Sequence, residues 1–283
     1  NNQYSIADHW IRSRFSFTAQ EFSNHVHSYR FDLAAQALYD FFWNEYCDWY
    51  LELTKAVLNG DSSESLKAGT RQTLLEVLEA FLRLAHPVMP YITEEIWQKI
   101  SRLLGKPGAS IMLEKIPDGS EWPRNTQAEE DFSWLQAFTV SVRNIKAEVN
   151  LSGGKIVPVI LKNIDEHATR RIQSLQVFLL SIARIESIHI HQDGALPASA
   201  TSLLNGMEIH IPLAGLIDVE AEKARLTKEI QKLSDDIERT GAKLQNPAFV
   251  DKAPEPVVQK ERNRLAEAQA TKQKLEEQLT SFG

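Results

Sequence analysis

The sequence predicts a mainly α protein in three parts: a helical bundle, a small α/β unit with about three strands, and a C-terminal antiparallel coiled-coil hairpin. Three observations lead there. No proline occurs before Pro87, and all six tryptophans lie between Trp10 and Trp134, so the front of the chain can run as long aromatic-rich helices. Residues 139–217 keep a single aromatic, Phe178, and carry short β-branched runs instead. From residue 226 onward, Leu226, Ile230, Leu233, Ile237, Thr240 and Leu244 step by four and three, the spacing of a narrow coiled-coil seam. Domain boundaries are accordingly expected at 1–126, 127–217 and 218–283.

Residues 1–104 read as four helices. In the second of them Leu33, Ala34, Ala37, Leu38, Phe41, Phe42, Trp49, Leu53 and Val57 make an apolar face broad enough for a bundle. Asn59, Gly60, Asp61 and Ser62 end it. The next helix, 64–86, carries Leu74, Leu75, Leu78, Phe81, Leu82 and Ala85 at helical spacing, and Pro87 stops it. With three prolines and three glycines, residues 105–126 read as a connector. A helix at 127–149 leads into the α/β unit, whose strands are expected at 156–161, 185–191 and 207–211 around a helix near 165–183.

The hairpin's ascending arm needs a partner, and Val258, Leu265, Ala268, Leu275 and Leu279 supply it, with Glu261 and Lys272 interrupting the register. Asn246, Pro247, Pro254 and Pro256 break the helix between the arms. At about 27 residues an arm is roughly 40 Å long, which predicts a projecting appendage. Setting Ile237 level with Leu265 and Leu244 level with Val258 brings Arg239 and Arg264 to one height on opposite arms, with Thr240 near Glu261.

Composition narrows the function. The net charge of −7 argues against indiscriminate nucleic-acid binding, and no stretch has the apolar length of a membrane span. No basic-then-apolar leader opens the sequence, and the lone Cys47 suits a reducing compartment, so a cytoplasmic location is expected. No nucleotide-binding loop occurs, and Ser152, Gly153, Gly154 and Lys155 read as a plain β-turn. His25 with His27 and His189 with His191 are the only metal-like spacings, too few donors for a zinc site. His189 and His191 read as the wet face of a strand, with Ile188 and Ile190 toward the core. No catalytic residue and no metal ligand is therefore assigned.

Several segments resemble bacterial-type valyl-tRNA synthetase. ADHWIRSRF at 7–15, FDLAAQALYDFFWNEYCDWYLELTK at 31–55 and HPVMPYITEEIWQ at 86–98 are similar to its helical anticodon-binding domain. GMEIHIPLAGLIDVEAEKARLTKEIQKL at 206–233 and NPAFVDKAPEPVVQKER at 246–262 are similar to its C-terminal arm. The isoleucyl and leucyl relatives share the bundle-type motifs but not this hairpin. The resemblance implies a noncatalytic tRNA-binding part of a class I valine-tRNA ligase. That enzyme uses ATP and Mg in a catalytic domain whose signature motifs are not found in this sequence; no cofactor is expected here.

The implied partner is tRNA(Val), with neither membrane nor DNA, bound by a monomer. In the family the arm leans on the outer corner of tRNA, which makes Arg239, Arg264, Lys243, Lys252, Lys260 and Arg262 the corner-binding candidates. Arg12, Arg14 and Arg30 are candidates for the anticodon region. The same arginines, with Arg83, also read as inter-helix ion-pair partners for a stripe of Asp40, Asn44 and Asp48 beside Glu45. A competing reading of the hairpin is a structural or oligomerisation module that binds another protein. Its outward positions, including Lys228, Glu229, Lys232, Asp235 and Asp236, are charged, which disfavours a second apolar contact.

Overall fold

A computed structural model describes residues 2–192, 194–214, 219–245 and 255–281. Helix α1, Ile6–His27, starts at a reciprocal cap in which Ser5 and Asp8 satisfy each other's backbone amides. The second long helix is not uniform. It begins as α2, Phe31–Tyr39, widens into a π-helical segment, Asp40–Tyr50, and returns to α geometry as α3, Leu51–Asn59. The buried positions explain the widening: they step from Ala34 to Leu38 to Phe41, jump five residues to Tyr46, then resume at Tyr50, Leu53 and Val57. A jump of five fits the i to i+5 spacing of a π turn, which keeps both runs on the core side.

Helix α4, Glu64–Ala85, is capped by Ser63, and α5, Pro90–Leu103, opens on proline. The connector is fastened to the bundle at several points. Ile111 packs with Leu82 and Trp97, the Ser16 hydroxyl donates to the Trp122 carbonyl at 2.8 Å, and the Arg83 guanidinium donates to the Lys115 carbonyl at 2.6 Å. Helix α6, Thr126–Glu148, stacks Phe132 on Trp10 with centroids 3.5 Å apart, and α7, Glu166–Ile182, packs on α3 and ties Arg171 to Asp131 at 2.8 Å.

Strands β1 (Val157–Lys162), β2 (Ile185–Ile190), β3 (Ser199–Leu204) and β4 (Met207–Pro212) form a sheet in the order β2-β1-β4-β3, with β4 antiparallel to both β1 and β3. The expectation of three strands thus missed β3. It is joined to β4 by Asn205-Gly206, both at positive φ (51° and 85°), a turn that matches the twist of the flanking strands. Val157, Val159, Leu161, Met207, Ile209 and Ile211 are buried. Ile190 departs from its expected place, being 45% exposed at the end of β2. His189 bonds Ser187, and His191 reaches the Gly194 carbonyl. The Lys155 amide donates to the Ser152 carbonyl, closing the expected β-turn.

The hairpin consists of α8, Val219–Gln245, and α9, Glu255–Ser281. Pro256 therefore lies at the start of the returning helix, where a proline costs no hydrogen bond. Asn246, Pro247, Lys252 and Pro254 lie outside the described residues. Packing groups the chain into two compact units, Asn1–Arg143 with Asp165–Ile185, and Asn144–Ile164 with Glu186–Gly283. This grouping differs from the division at 126 and 217, because the first part of α6 and all of α7 anchor to the bundle.

Candidate nucleic-acid interface

The hairpin seam aligns the arms as its spacing implies. Leu226, Val258, Ala268 and Thr240 are buried, and ion pairs between described residues cross from one arm to the other. Lys243 Nζ donates to Glu261 Oε1 at 2.7 Å, and Arg264 donates to Asp236 Oδ1 at 2.8 Å. The two pairs straddle the register that sets Ile237 level with Leu265. Glu261, expected near Thr240, turns to Lys243, whose hydrogen bond holds its carboxyl below the usual range, with Arg264 adding to the effect.

The corner-binding candidates fall into two groups. Arg264 and Lys243 are engaged with carboxylates, while Arg239, Lys260 and Arg262 are exposed and make no side-chain ion pair among the described residues. Lys252 lies outside the described residues.

In the bundle, two of the three arginine candidates are built into the framework. Arg12, its side chain 11% exposed, pairs with Glu76 at 2.9 Å and lies over the Tyr4 ring. Arg14 grips Glu45 with both Nε and Nη2, and Arg83 pairs with Glu79, which also accepts from Trp97 Nε1 at 2.8 Å. Arg30 differs: it sits at the exposed α1–α2 corner and its partner is its neighbour Asp32. Asp40 accepts from Gln36 and Asn44 on its own helix.

Exposed aromatics surround Arg30 in sequence, and the apolar pattern did not separate them from the core. Tyr29 and Phe31 are 81% and 62% exposed, with rings 6.3 Å apart, and Tyr39 and Trp43, more than half exposed, lie 6.4 Å apart. Large aromatic faces in water are costly to maintain and suit stacking with unpaired bases. The signal in the sequence was the clustering of Tyr29, Arg30 and Phe31 at a helix corner, where no core helix could cover them.

Comparison with known proteins agrees with this layout. The family model described as the anticodon-binding domain of tRNA ligase matches residues 8–161. The chain belongs to that family. A second model, the valyl tRNA synthetase tRNA binding arm, matches residues 218–283, the region of the hairpin. Valine–tRNA ligases of Legionella pneumophila strains Lens, Paris and Philadelphia 1 are each 46% identical to it over 275 residues, covering 96% of the chain. The chain spans 30% of the length of these curated relatives. In family terms, the anticodon-domain match contains the exposed aromatics and Arg30, and the arm match contains the cross-arm ion pairs.

Proposed function

We propose that the chain is the tRNA-binding, noncatalytic part of a valine-tRNA ligase, engaging tRNA(Val) with the bundle at the anticodon region and with the hairpin at the outer corner of the tRNA. The observation that carries this reading is the collinear pair of family matches, each over an element with suitable surface chemistry. On the bundle, Tyr29, Phe31, Tyr39 and Trp43 stack unpaired bases and Arg30 meets a phosphate, while Arg12 and Arg14 brace the helices beneath. On the hairpin, Arg239, Lys260, Arg262 and the exchangeable Lys243 and Arg264 neutralise backbone phosphates. ATP, Mg and valine belong to the catalytic part of such an enzyme, and esterification of the tRNA 3′ end happens there. The protein acts in the cytoplasm as a monomer.

The test is tRNA binding by anisotropy, with tRNA(Val) against an unrelated tRNA, alongside sizing chromatography. Tighter binding of tRNA(Val) by a monomeric chain is expected, and valine-dependent ATP–pyrophosphate exchange should stay at background. Equal binding of both tRNAs, or none, overturns the reading.

A further inference from the structure

We propose that Asp236 and Glu261 are specificity-determining residues of the hairpin: by occupying Arg264 and Lys243 they penalise any phosphate that does not arrive positioned to displace them. The inference rests on the tRNA-binding reading and goes beyond it, since it assigns a role to the anionic half of the surface. The geometry carries it. Two of the hairpin's cations are held by carboxylates of the opposite arm at 2.7 and 2.8 Å. Glu261 also feels Arg264 and Asp236 of the neighbouring pair, so the two pairs lie close enough to form one charge cluster.

The balance of terms favours a gate over a brace. The cationic side chains are 58% and 44% exposed while their carboxylate partners, Asp236 and Glu261, are 26% and 17% exposed; with the cations in water, such pairs contribute modestly to holding two helices together. Their effect on an incoming polyanion is larger. A phosphate reaching Arg264 must take it from Asp236, and the released carboxylate then stands beside the phosphate as a like charge. An RNA whose shape delivers several phosphates at once can outweigh this cost; one that brushes the arm with a single phosphate cannot. Arg239, without an ion pair among the described residues, offers contact without that penalty.

The isosteric variants Asp236→Asn and Glu261→Gln remove one negative charge each and keep the side-chain shape. Bind the parent, both single variants and the double variant to tRNA(Val) and to an unrelated tRNA, with helicity and melting followed for each protein. Each variant should bind both RNAs more tightly, by roughly threefold or more, with the greater gain for the unrelated tRNA so that discrimination narrows. If the carboxylates only brace the arms, removing them loosens the hairpin and weakens binding, and that sign overturns the proposal. Unchanged affinity overturns it too. Failure of the parent to bind tRNA overturns both readings, whereas binding by the parent without tightening in the variants overturns this one alone.

Discussion

Asp8 ties three helices of the bundle at one point. Fully buried, it accepts from the Ser5 amide at 2.8 Å, from the Ser5 hydroxyl at 2.7 Å, from the Thr70 hydroxyl at 2.9 Å and from the Tyr50 hydroxyl at 2.6 Å. A carboxylate can be buried when its lone pairs are so occupied. Burial, with the Asp8 carboxylate beside it, holds the Tyr50 phenol well above its ordinary range, so it remains a donor. Tyr50→Phe should therefore destabilise the protein by about 1–3 kcal/mol in urea unfolding, because it strands a buried acceptor. Tyr46→Phe, whose lost hydroxyl served only the Leu74 carbonyl, should cost less. Close approach sets a second sensitive position: a Cβ on Gly69 would lie 1.8 Å from the Gln3 carbonyl oxygen, so Gly69→Ala should cost about 1–3 kcal/mol as the N-terminal segment is pushed off α4. At this scale the sequence disclosed kind better than partner. That arginines would fix the bundle by ion pairs was legible, and Arg14 does meet Glu45, but Arg12 chose Glu76 and Arg83 chose Glu79. Which carboxylate faces which arginine depends on helix rotation, and the π segment changes that rotation midway.

Helices were legible as elements because their apolar faces repeat over many turns, and the strands less so because six residues hold only three alternations. β3 shows the difference. Its sequence, Ser199 to Leu204, has no strong apolar alternation, yet the Asn205-Gly206 turn before the apolar β4 was a hairpin signal that could have revealed it. The π segment was hidden for another reason: its mark is one five-residue step in burial, visible only once Tyr46 and Tyr50 are known to be inside. In the hairpin, Gly241 sits in α8 with open space where a Cβ would go. Gly241→Ala should stabilise the arm by up to about 1 kcal/mol, seen as slower amide exchange in α8 with RNA absent. Unchanged exchange would mean that the arm opens elsewhere. The ion pair at Glu261 adds a pH dependence. Its carboxyl is depressed in the folded state, so its contribution is present above the ordinary value of 4.5 and fades as pH falls through the lower folded value. Because the Lys243 end of the pair lies in water, that contribution is small: amide protection near Lys243 and Glu261 should weaken only slightly in acid below about pH 4, and this slight weakening should be absent in Glu261→Gln.

Charge is distributed unevenly over the whole molecule, and this bears on the proposed binding of tRNA. Of 31 Lys and Arg and 38 Asp and Glu, the hairpin region from 218 onward holds 12 and 13, leaving 19 and 25 in residues 1–217. The hairpin is thus nearly neutral and the remainder carries most of the negative charge. A negative body does not draw RNA in from a distance, so long-range steering should add little to the association rate. On the proposed function, attraction arises at contact, where individual cations release counterions from individual phosphates, and that contribution appears in how long the complex lasts. Stopped-flow binding of tRNA(Val) between low and moderate salt should then show an association rate changing by no more than about threefold, with most of the loss of affinity in the dissociation rate. Removing Arg239 should speed dissociation and reduce the slope of log K against log salt by roughly 0.7 to 0.9, the share of one phosphate contact, while leaving association nearly untouched. An association rate that fell steeply with salt would instead mean that a local positive field around the exposed cations of the arm outweighs the negative remainder during approach.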